Sequence, residues 1–307
     1  MKVAIVGFGK QGKLIANLLS SAVNFERIEI DVVDLRTIPK KSPSDLNVYD
    51  AFFISTPNSS LKSIVNSLWN LNKYLWVEKP AAFDLEDLAF YESLPGDAKK
   101  KIFVNYSFGQ SPVGIEFKKI CEQQRIGTVI KMSVFASHRF AFTSEYKRDW
   151  RSELPGGVAD MVSCHYFSFA IDLLGQISNA QNNYGIFAGG KVPDTATHQL
   201  TFTNGITADI FTSYAAGFIS EIKLIGTLGT ASYEGDSLVL FNSCDKSNQD
   251  SRFTKGLPQP IIELSARKNW LDGQVNMLRL FLQTVELQGE FIDSLDKASQ
   301  VFRLLRC

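Results

Sequence analysis

The sequence Met1-Lys2-Val3-Ala4-Ile5-Val6-Gly7-Phe8-Gly9-Lys10-Gln11-Gly12 runs from four apolar residues straight into three glycines with the spacing G-x-G-x-x-G. This pattern is typical of the turn between the first strand and the first helix of a dinucleotide-binding fold. Gly7 permits a tight turn, Gly9 leaves room for a pyrophosphate beside the backbone, and Gly12 lets the helix pack close to the strand. The free N–H groups of the helix would then face that anion. We therefore predict that all six residues of the turn contact a cofactor.

The residues after the turn support this interpretation. Apolar side chains recur there at helical spacing, at Leu14, Ile15, Leu18 and Leu19. A second apolar run over residues 28–33 ends at Asp34, where such folds place the acid that binds the ribose hydroxyls. An acid repels a 2′-phosphate, which favours NAD; Arg36 can meet that phosphate, so NADP stays open, and Asp34 can also be an ordinary acid at a strand end. We predict Asp34, Leu35 and Arg36 as cofactor-binding residues.

Composition limits the class of protein. The 307 residues suffice for about two domains, and 45% of them are apolar. Lys plus Arg equal Asp plus Glu at 32 each, so no overall field attracts nucleic acid or an acidic membrane. No apolar run is long enough to span a bilayer. None of the cysteines (Cys121, Cys164, Cys244, Cys307) forms a C-x-x-C pair, which favours a reduced, cytoplasmic setting.

The first part of the chain alternates short apolar runs with helical patterns. Strands are predicted at residues 51–54, 74–77 and 101–104, with helical periodicity between them, as in a doubly wound parallel sheet. Ligands of such sheets bind beyond the carboxyl ends of the strands. The sequence therefore predicts one cofactor crevice formed by Thr56, Pro57, Asn58, Glu78, Lys79 and Asn105.

The pattern changes near residue 118. Residues 129–136 alternate like a half-buried strand, and residues 197–202 and 206–211 flank an Asn204-Gly205 turn that predicts a hairpin. Strands at 222–226 and 230–234 follow, and helices at 275–285 and 295–305. We predict a dinucleotide-binding domain over residues 1–118 and an α+β substrate domain with an open, mostly antiparallel sheet over 119–307. Phe202, Ile210 and Phe211, assigned to its outer face, suggest self-association.

Two residues can carry acid–base chemistry. Lys79 ends a buried strand at the crevice, and a cation there can stabilise an alkoxide as hydride leaves carbon. Its ordinary alternative is a solvated lysine paired with Glu78. His165 lies in a mostly apolar helix that follows Gly156-Gly157, where a neutral imidazole can accept the proton of a substrate hydroxyl. Its alternative is a core histidine with satisfied hydrogen bonds.

The order of five motifs resembles the glucose-fructose oxidoreductase / inositol dehydrogenase / MocA family over nearly the whole chain. These are the glycine turn, Thr56-Pro57-Asn58, Glu78-Lys79-Pro80, the stretch from Gly156-Gly157 to His165, and Ile225-Gly226-Thr227-Leu228-Gly229-Thr230. The resemblance implies a Rossmann domain, a C-terminal α/β domain whose open sheet often mediates oligomers, and NAD(P)-dependent chemistry at a sugar or cyclitol carbon. It also implies Lys79 as the catalytic lysine and His165 as the acid/base histidine.

The sequence departs from the family pattern around His165. The family has three glycines and then an Asp four residues before the His; here Pro155 replaces the first glycine and Met161 the Asp. Asp160 is displaced by one residue, which on an α-helix rotates a side chain by about 100°. Asp160 can therefore substitute as a third catalytic residue only if the preceding turn shifts. Other family positions also differ, at Leu61, at Ser168 and in Asn105-Tyr106-Ser107.

These residues predict an NAD(P)-dependent oxidoreductase of a carbohydrate-like substrate, a small molecule bound by Lys79, His165, Arg139, Trp150 and Arg151. The arginines can meet a phosphate or carboxylate, or belong to a solvated basic loop. Two other hypotheses stay open: a cofactor-binding sensor without turnover, and an enzyme that uses transient oxidation for elimination or hydrolysis. We expect no metal and a homo-oligomer, a dimer or tetramer, formed through the C-terminal sheet.

Overall fold

Short apolar segments form a five-stranded parallel sheet in the first part of the chain. The computed structural model describes residues 1–21, 28–34, 36–38, 42–242 and 256–306. The strands are β1 (Lys2–Val6), β2 (Glu29–Val33), β3 (Ala51–Ile54), β4 (Tyr74–Val77) and β5 (Ile102–Val104). Their order is β2-β1-β3-β4-β5, and every neighbouring pair is parallel. The order reverses at β1, so the switch point of the sheet lies between β1 and β3.

The sheet is covered on both faces, since consecutive residues of β1, β3 and β4 are all buried apart from the first of β1. The helices between the strands are α1 (Lys10–Ser21), α2 (Pro43–Leu46), α3 (Asn58–Leu68), α4 (Leu85–Ser93) and α5 (Gly96–Lys99). α1 and α3 bury their apolar stripes, Ile15, Leu18 and Leu19 in one and Leu61, Ile64, Val65 and Leu68 in the other. The predicted strand–helix alternation is confirmed.

A second sheet has eight strands and is mostly antiparallel. The strands are β6 (Val129–Ser137), β7 (Ile177–Gly185), β8 (Thr195–Phe202), β9 (Thr207–Ser213), β10 (Ile219–Gly226), β11 (Gly229–Glu234), β12 (Ser237–Asn242) and β13 (Pro258–Glu263). Their order is β13-β12-β11-β10-β6-β9-β8-β7, with one parallel pair, β6 and β9. The predicted hairpin is present: Gly205 has φ +83° and the Phe202 N–H donates to the Ile206 carbonyl. The predicted fold class, a parallel Rossmann-type sheet plus an open mixed sheet, is confirmed.

The remaining helices are α6 (Pro112–Glu122), α7 (Cys164–Leu174), α8 (Ala266–Glu286) and α9 (Ser294–Leu304). A π-helical turn, Ala159–Ser163, leads directly into α7, and short 3₁₀ turns occur at Phe140–Phe142, Tyr146–Arg148 and Trp150–Ser152. No helix of the described ranges is long and apolar enough to cross a membrane. Cys121 and Cys164 are thiols, while Cys244 and Cys307 fall outside the described residues.

By contacts, the chain divides into two compact units. Unit 1 comprises Met1–Tyr106 and Gln274–Arg303, and unit 2 comprises Ser107–Gly273 and Leu304–Cys307. The domain boundary at residue 118 stays a prediction, since these units divide the chain at other points. The return of residues 274–303 to unit 1 rests on an aromatic core, in which Phe281 packs against Phe53, Trp76, Phe103 and Phe291 at centroid distances of 5.1–5.8 Å.

The large sheet of unit 2 buries one face. Along β8, buried and more exposed residues alternate, with Ala196, His198, Leu200 and Phe202 on the inner side. The placement of Phe202 and Ile210 on the outer face is wrong: their exposed fractions are 1% and 0%. Both side chains lie on the buried face of the sheet, where their apolar surface is removed from water. Phe211 is half-exposed and packs against the exposed Phe135 of β6, with 6.3 Å between ring centroids.

Candidate active site

In the glycine turn of unit 1, an added Cβ would meet different surroundings at each of the three glycines. Gly7 has φ +90°, and an added Cβ there would lie 2.9 Å from the Ser55 carbonyl oxygen. A Cβ on Gly12 would lie 2.1 Å from the Gly7 oxygen, so only glycine lets α1 approach the turn. A Cβ on Gly9 would meet no atom of the described residues within 4 Å. The turn is thus closed around Gly7 and Gly12 and open at Gly9, as backbone approach by a pyrophosphate requires.

The exposed side of the turn carries Phe8, Gly9 and Lys10. Phe8 is 45% exposed, with the Lys13 ammonium 5.9 Å from its ring centroid. Lys10 is the first residue of α1, whose leading N–H groups have no partner within the helix. An anion at this turn would meet those N–H groups and two nearby cations.

The acid that follows β2 is held by its neighbour. The Asp34 carboxylate accepts hydrogen bonds from the Arg36 guanidinium, with an Nη2–Oδ2 distance of 2.5 Å, and from the Arg36 backbone N–H at 2.8 Å. These bonds lower the pKa of Asp34 to about 2, so it is ionised at neutral pH. Leu35, also predicted to bind the cofactor, lies outside the described residues.

Glu78 connects three elements of unit 1. Its Oε1 accepts hydrogen bonds from Gln11 Nε2 at 3.0 Å, Trp76 Nε1 at 3.0 Å and Asn105 Nδ2 at 3.1 Å. Asn105 also donates to Gln274 Oε1 at 3.0 Å. The carboxylate therefore ties the start of α1 to the carboxyl ends of β4 and β5, which fixes the rim of the predicted crevice.

Several polar atoms at this edge of the sheet are buried without a partner. Within the described ranges, Ser55 Oγ, Thr56 Oγ1 and Asn105 Oδ1 have no hydrogen-bond partner. Buried polar atoms are nearly always paired, so unpaired ones at one edge are candidates for contact with a bound group or water. Pro57 precedes α3, whose first residue Asn58 donates to the Pro80 carbonyl. Lys79 is half-buried between Glu78 and Pro80, and its bond to Pro80 is cis.

In unit 2, Asp160 is fully buried in the π-turn. Its two oxygens accept hydrogen bonds from Arg306 Nη1 and Nη2 at 2.7 and 2.8 Å, and Oδ2 also accepts from the Gly156 N–H at 3.1 Å. A Cβ on Gly156 would come within 2.2 Å of the carboxyl carbon, so glycine is required there. The predicted catalytic carboxylate is thus engaged in an ion pair in which Asp160 is buried and the Arg306 side chain is 27% exposed.

His165 is the second residue of α7 and is half-buried. The preceding π-turn changes the register between Asp160 and His165, because its hydrogen bonds span five residues where those of an α-helix span four. Asp160 precedes His165 by five residues. The π-turn thus offsets the one-residue displacement in sequence, while the catalytic role of Asp160 stays a prediction.

The predicted substrate loop of unit 2 packs on Tyr214. The ring centroids of Tyr146 and Tyr214 lie 5.9 Å apart, the Ala141 N–H donates to the Tyr214 carbonyl at 3.0 Å, and burial raises the pKa of the Tyr214 hydroxyl. Arg151 Nη1 bonds both carboxyl oxygens of Asp149 at 2.9 Å.

The arginines of this loop also contact aromatic rings. The guanidinium carbon of Arg151 lies 4.7 Å from the Trp150 ring centroid, and that of Arg139 lies 5.0 Å from the Phe142 ring centroid. The structure brings Trp150 and Arg151 together, whereas Lys79 belongs to unit 1 and His165 to unit 2.

Sequence reasoning missed His198. Its ring bonds Asn182 Oδ1 through Nδ1 at 2.7 Å and Ser163 Oγ through Nε2 at 2.9 Å, and Ser163 Oγ lies 2.7 Å from Thr212 Oγ1. Burial lowers the pKa of His198 to about 4, which keeps the ring neutral. The available signal was its position in the apolar register of β8, which places a polar ring in the core.

Comparisons with known proteins agree with this arrangement. Residues 115–232 match the family model of the GFO/IDH/MocA C-terminal domain. The structure is similar to an NAD binding oxidoreductase from Klebsiella pneumoniae (17% identity, TM-score 0.81, covering 100% of this chain and 95% of that one). It is also similar to a levoglucosan dehydrogenase in complex with NADH (18%, 0.79, 100% and 95%) and a myo-inositol dehydrogenase from Corynebacterium glutamicum (16%, 0.76, 100% and 94%). No curated protein matches the sequence.

The parallel sheet with its glycine turn and the mixed eight-stranded sheet define a two-unit protein with a Rossmann-type sheet in unit 1. The match of residues 115–232 to the GFO/IDH/MocA C-terminal domain supports the family resemblance over that part of the chain. At 16–18% identity, the likeness to the solved structures establishes the fold.

Proposed function

We propose that this protein is an NAD(P)-dependent oxidoreductase that acts on an alcohol carbon of a carbohydrate-like substrate, a sugar, a cyclitol or a sugar nucleotide. The observation that carries the proposal is the glycine turn, closed at Gly7 and Gly12, open at Gly9, and located at the switch point between β1 and β3. Ligands of open α/β sheets bind at such a switch point. The relatives named above, one solved with bound NADH, support the same activity.

The residues of unit 1 fit a dinucleotide. The turn over residues 7–12 would hold the pyrophosphate, and Asp34 would accept hydrogen bonds from the ribose hydroxyls, with Arg36 beside it. Thr56, Pro57, Asn58, Glu78 and Asn105 would form the rim along β3, β4 and β5. When bound, the cofactor supplies the nicotinamide carbon that accepts or returns a hydride. The ionised Asp34 favours NAD over NADP.

The chain supplies the proton chemistry. The Lys79 ammonium would bind the substrate oxygen and stabilise its developing negative charge. The His165 imidazole would accept the hydroxyl proton during oxidation and return it during reduction. Asp160, which is paired with Arg306, would help to orient the π-turn that precedes His165.

The loop geometry favours an uncharged, polyhydroxylated substrate. Asp149 neutralises Arg151, so this arginine has little net charge left for a phosphate or carboxylate. Trp150 and Arg139 would contribute an aromatic face and hydrogen-bond donors, and the buried Tyr146 hydroxyl has no hydrogen-bond partner within the described ranges. The levoglucosan dehydrogenase was also solved with levoglucosan and with L-sorbose, both neutral sugars.

The test combines cofactor binding with turnover. NADH and NADPH are titrated by cofactor fluorescence, and a panel of sugars, cyclitols and sugar nucleotides is then screened by absorbance of the reduced cofactor. We expect Lys79→Ala to keep NADH binding and to lose at least a hundredfold in kcat. The matched control is Lys100→Ala, which removes an exposed lysine paired with Glu290 in the same unit. Full turnover by Lys79→Ala would remove Lys79 from its role.

A cofactor-binding sensor is the second candidate, and the occupied carboxylate of Asp160 favours it. It predicts tight NADH binding with no turnover on any member of the panel. The eliminating or hydrolysing enzyme predicts product without net NADH. A cytoplasmic location and a homo-oligomer formed through the large sheet remain part of the proposal.

A further inference from the structure

Residues 304–306, the last residue of α9 and the two that follow it, belong to the same compact unit as α7. Their strongest contact is the ion pair of Arg306 with the fully buried Asp160 of the π-turn. A buried charge that loses its partner is strongly destabilising, so this contact constrains where Asp160 can lie. The bidentate geometry further constrains the orientation of the carboxyl plane.

The same residues are also connected to the far end of the π-turn, through side chains of β7 and β8. The carbonyls of Leu304 and Leu305 accept hydrogen bonds from Asn182 Nδ2 at 2.8 Å and from the Tyr184 hydroxyl at 2.5 Å, both on β7. Asn182 bonds His198, and His198 bonds Ser163, the last residue of the π-turn. Residues 304–306 are therefore connected to the turn directly at Asp160 and through β7 and β8 at Ser163.

We propose that residues 304–306 act as a clamp that holds this turn in its π form and thereby fixes the position of His165, with Arg306 as the positioning residue. π-Helical turns are rare and occur mostly as single turns inside α-helices, so the α-helical form is normally the more stable one. Relaxation to an α-helix would change the register by one residue and rotate neighbouring side chains by about 100°. The π register is the one in which the Asp160 carboxyl meets both Arg306 and the Gly156 N–H.

The consequence for catalysis rests on the proposed function of His165, whereas the clamp itself does not. The clamp and its consequence for catalysis are tested with two variants. Arg306→Met keeps a long side chain and removes the charge, whereas Arg306→Lys keeps the charge and removes the guanidinium group that binds both carboxyl oxygens. The matched control is Arg303→Met, since Arg303 makes a comparable bidentate pair with Glu92 on the surface of unit 1. The readouts are the imidazole NMR signals of His165, assigned by their loss in His165→Gln, together with kcat, KM and the NADH Kd.

We expect Arg306→Met to shift the His165 signals and lower kcat at least tenfold, while KM and the NADH Kd change less than twofold. Arg306→Lys should recover part of both effects, and Arg303→Met should match the wild type. If the wild-type protein turns over no substrate, the proposed function fails, but the NMR signals still decide whether the clamp exists.

A double variant, Asp160→Asn with Arg306→Met, separates stability from position. Removing both charges leaves no uncompensated buried ion, so the fold should persist. If residues 304–306 act as a clamp, the His165 signals of the double variant should stay shifted from their wild-type positions, while its unfolding midpoint returns towards the wild-type value. The proposal is overturned if Arg306→Met leaves the His165 signals as in the wild type, or if they return fully in the double variant.

Discussion

Each glycine of the turn meets different surroundings, so alanine should have different effects at each. Gly12→Ala places a Cβ 2.1 Å from a backbone oxygen, and α1 must move to relieve the overlap. We expect a loss of about 1–3 kcal/mol in the free energy of unfolding, typical of overpacking, together with weaker NADH binding. Urea unfolding and fluorescence titration measure the two effects.

Gly9→Ala should separate binding from stability. Its Cβ would enter open space, so we expect the unfolding midpoint to stay near the wild-type value while NADH affinity falls at least tenfold. Gly96→Ala is the matched control, because a Cβ there also meets no atom of the described residues, away from the turn at the start of α5. Unchanged NADH affinity in Gly9→Ala would contradict the assigned role of the turn.

The cofactor preference should depend on one carboxylate. We expect Asp34→Asn to raise the affinity for NADPH relative to NADH by about tenfold, roughly 1.4 kcal/mol, since it removes the charge that repels a 2′-phosphate and frees Arg36. Because the pKa of Asp34 lies at about 2, this carboxylate stays ionised between pH 8 and pH 5, so any change of the wild-type preference over that range should follow the 2′-phosphate of NADPH, whose second pKa is about 6. Asp31→Asn, within β2 and paired with Lys2, is the control.

At the scale of elements, periodicity was enough where side chains alternate or repeat. The strands 51–54 and 74–77 were predicted with the bounds that the structure shows, because each is a short apolar run between polar segments. β7 was missed, since its sequence Ile-Ser-Asn-Ala-Gln-Asn-Asn-Tyr-Gly lacks an apolar face. Its pairing with β8 and the Asn182–His198 bond depend on partners distant in sequence, which propensity does not report.

From the sequence, a shifted turn could be predicted only as a requirement that must be met if Asp160 is to be catalytic. The displaced Asp160 required a shifted turn, but the Arg306 that holds it lies 146 residues away along the chain. An ion pair over such a separation leaves no local pattern. The glycine turn between β1 and α1, in contrast, was predictable because one contiguous motif carries it, while its contacts with a cofactor stay a prediction.

The His198 network should make stability depend on pH. The pKa of His198 falls from 6.5 to about 4 in the folded protein, so the unfolded chain binds the proton more tightly. Its contribution to stability is therefore complete above pH 6.5 and is lost as pH falls towards 4. We expect a linked loss of about 2 kcal/mol in unfolding free energy between pH 7 and pH 4.5.

Comparing the wild type with His198→Gln isolates this contribution, because glutamine keeps hydrogen-bonding capacity and does not titrate. The variant should lose less stability than the wild type over this pH range in urea unfolding. His138→Gln is a control, since burial also lowers the pKa of His138, outside this network. Equal pH dependence in the wild type and His198→Gln would assign the effect to other groups.

At the scale of the whole molecule, the order of the chain conceals which segments share a core. Residues 274–303 follow the large sheet in sequence yet pack with the parallel sheet. Phe281 and Phe291 make this possible by joining the aromatic core of unit 1, at a distance in sequence that helical periodicity cannot bridge. The predicted boundary near residue 118 marks where the strand–helix alternation ends. It cannot show that residues 274–303 pack with unit 1, because that contact is distant in sequence.

Self-association is the last expectation, and the large sheet provides its surface. The outer face of β6 and β9 carries Phe135, 43% exposed, beside Phe211, with the Lys131–Asp209 ion pair on the same face. We expect a dimer or tetramer at micromolar concentration. Phe135→Asp should raise the dissociation constant at least tenfold, because each copy would lose the burial of an aromatic ring, worth about 1.5–3 kcal/mol, and would place a charge in the interface.

Sedimentation velocity over a concentration series measures the effect. Leu228→Asp is the control, since it places the same charge at a residue of similar exposure, 57%, in the turn between β10 and β11. If both variants dissociate equally, the effect comes from added charge and not from the Phe135 surface. If the wild-type protein sediments as a monomer at every concentration, the expected self-association is wrong. The exposed pair Phe135 and Phe211, beside the Lys131–Asp209 ion pair of the same chain, would then be stable in water without a partner.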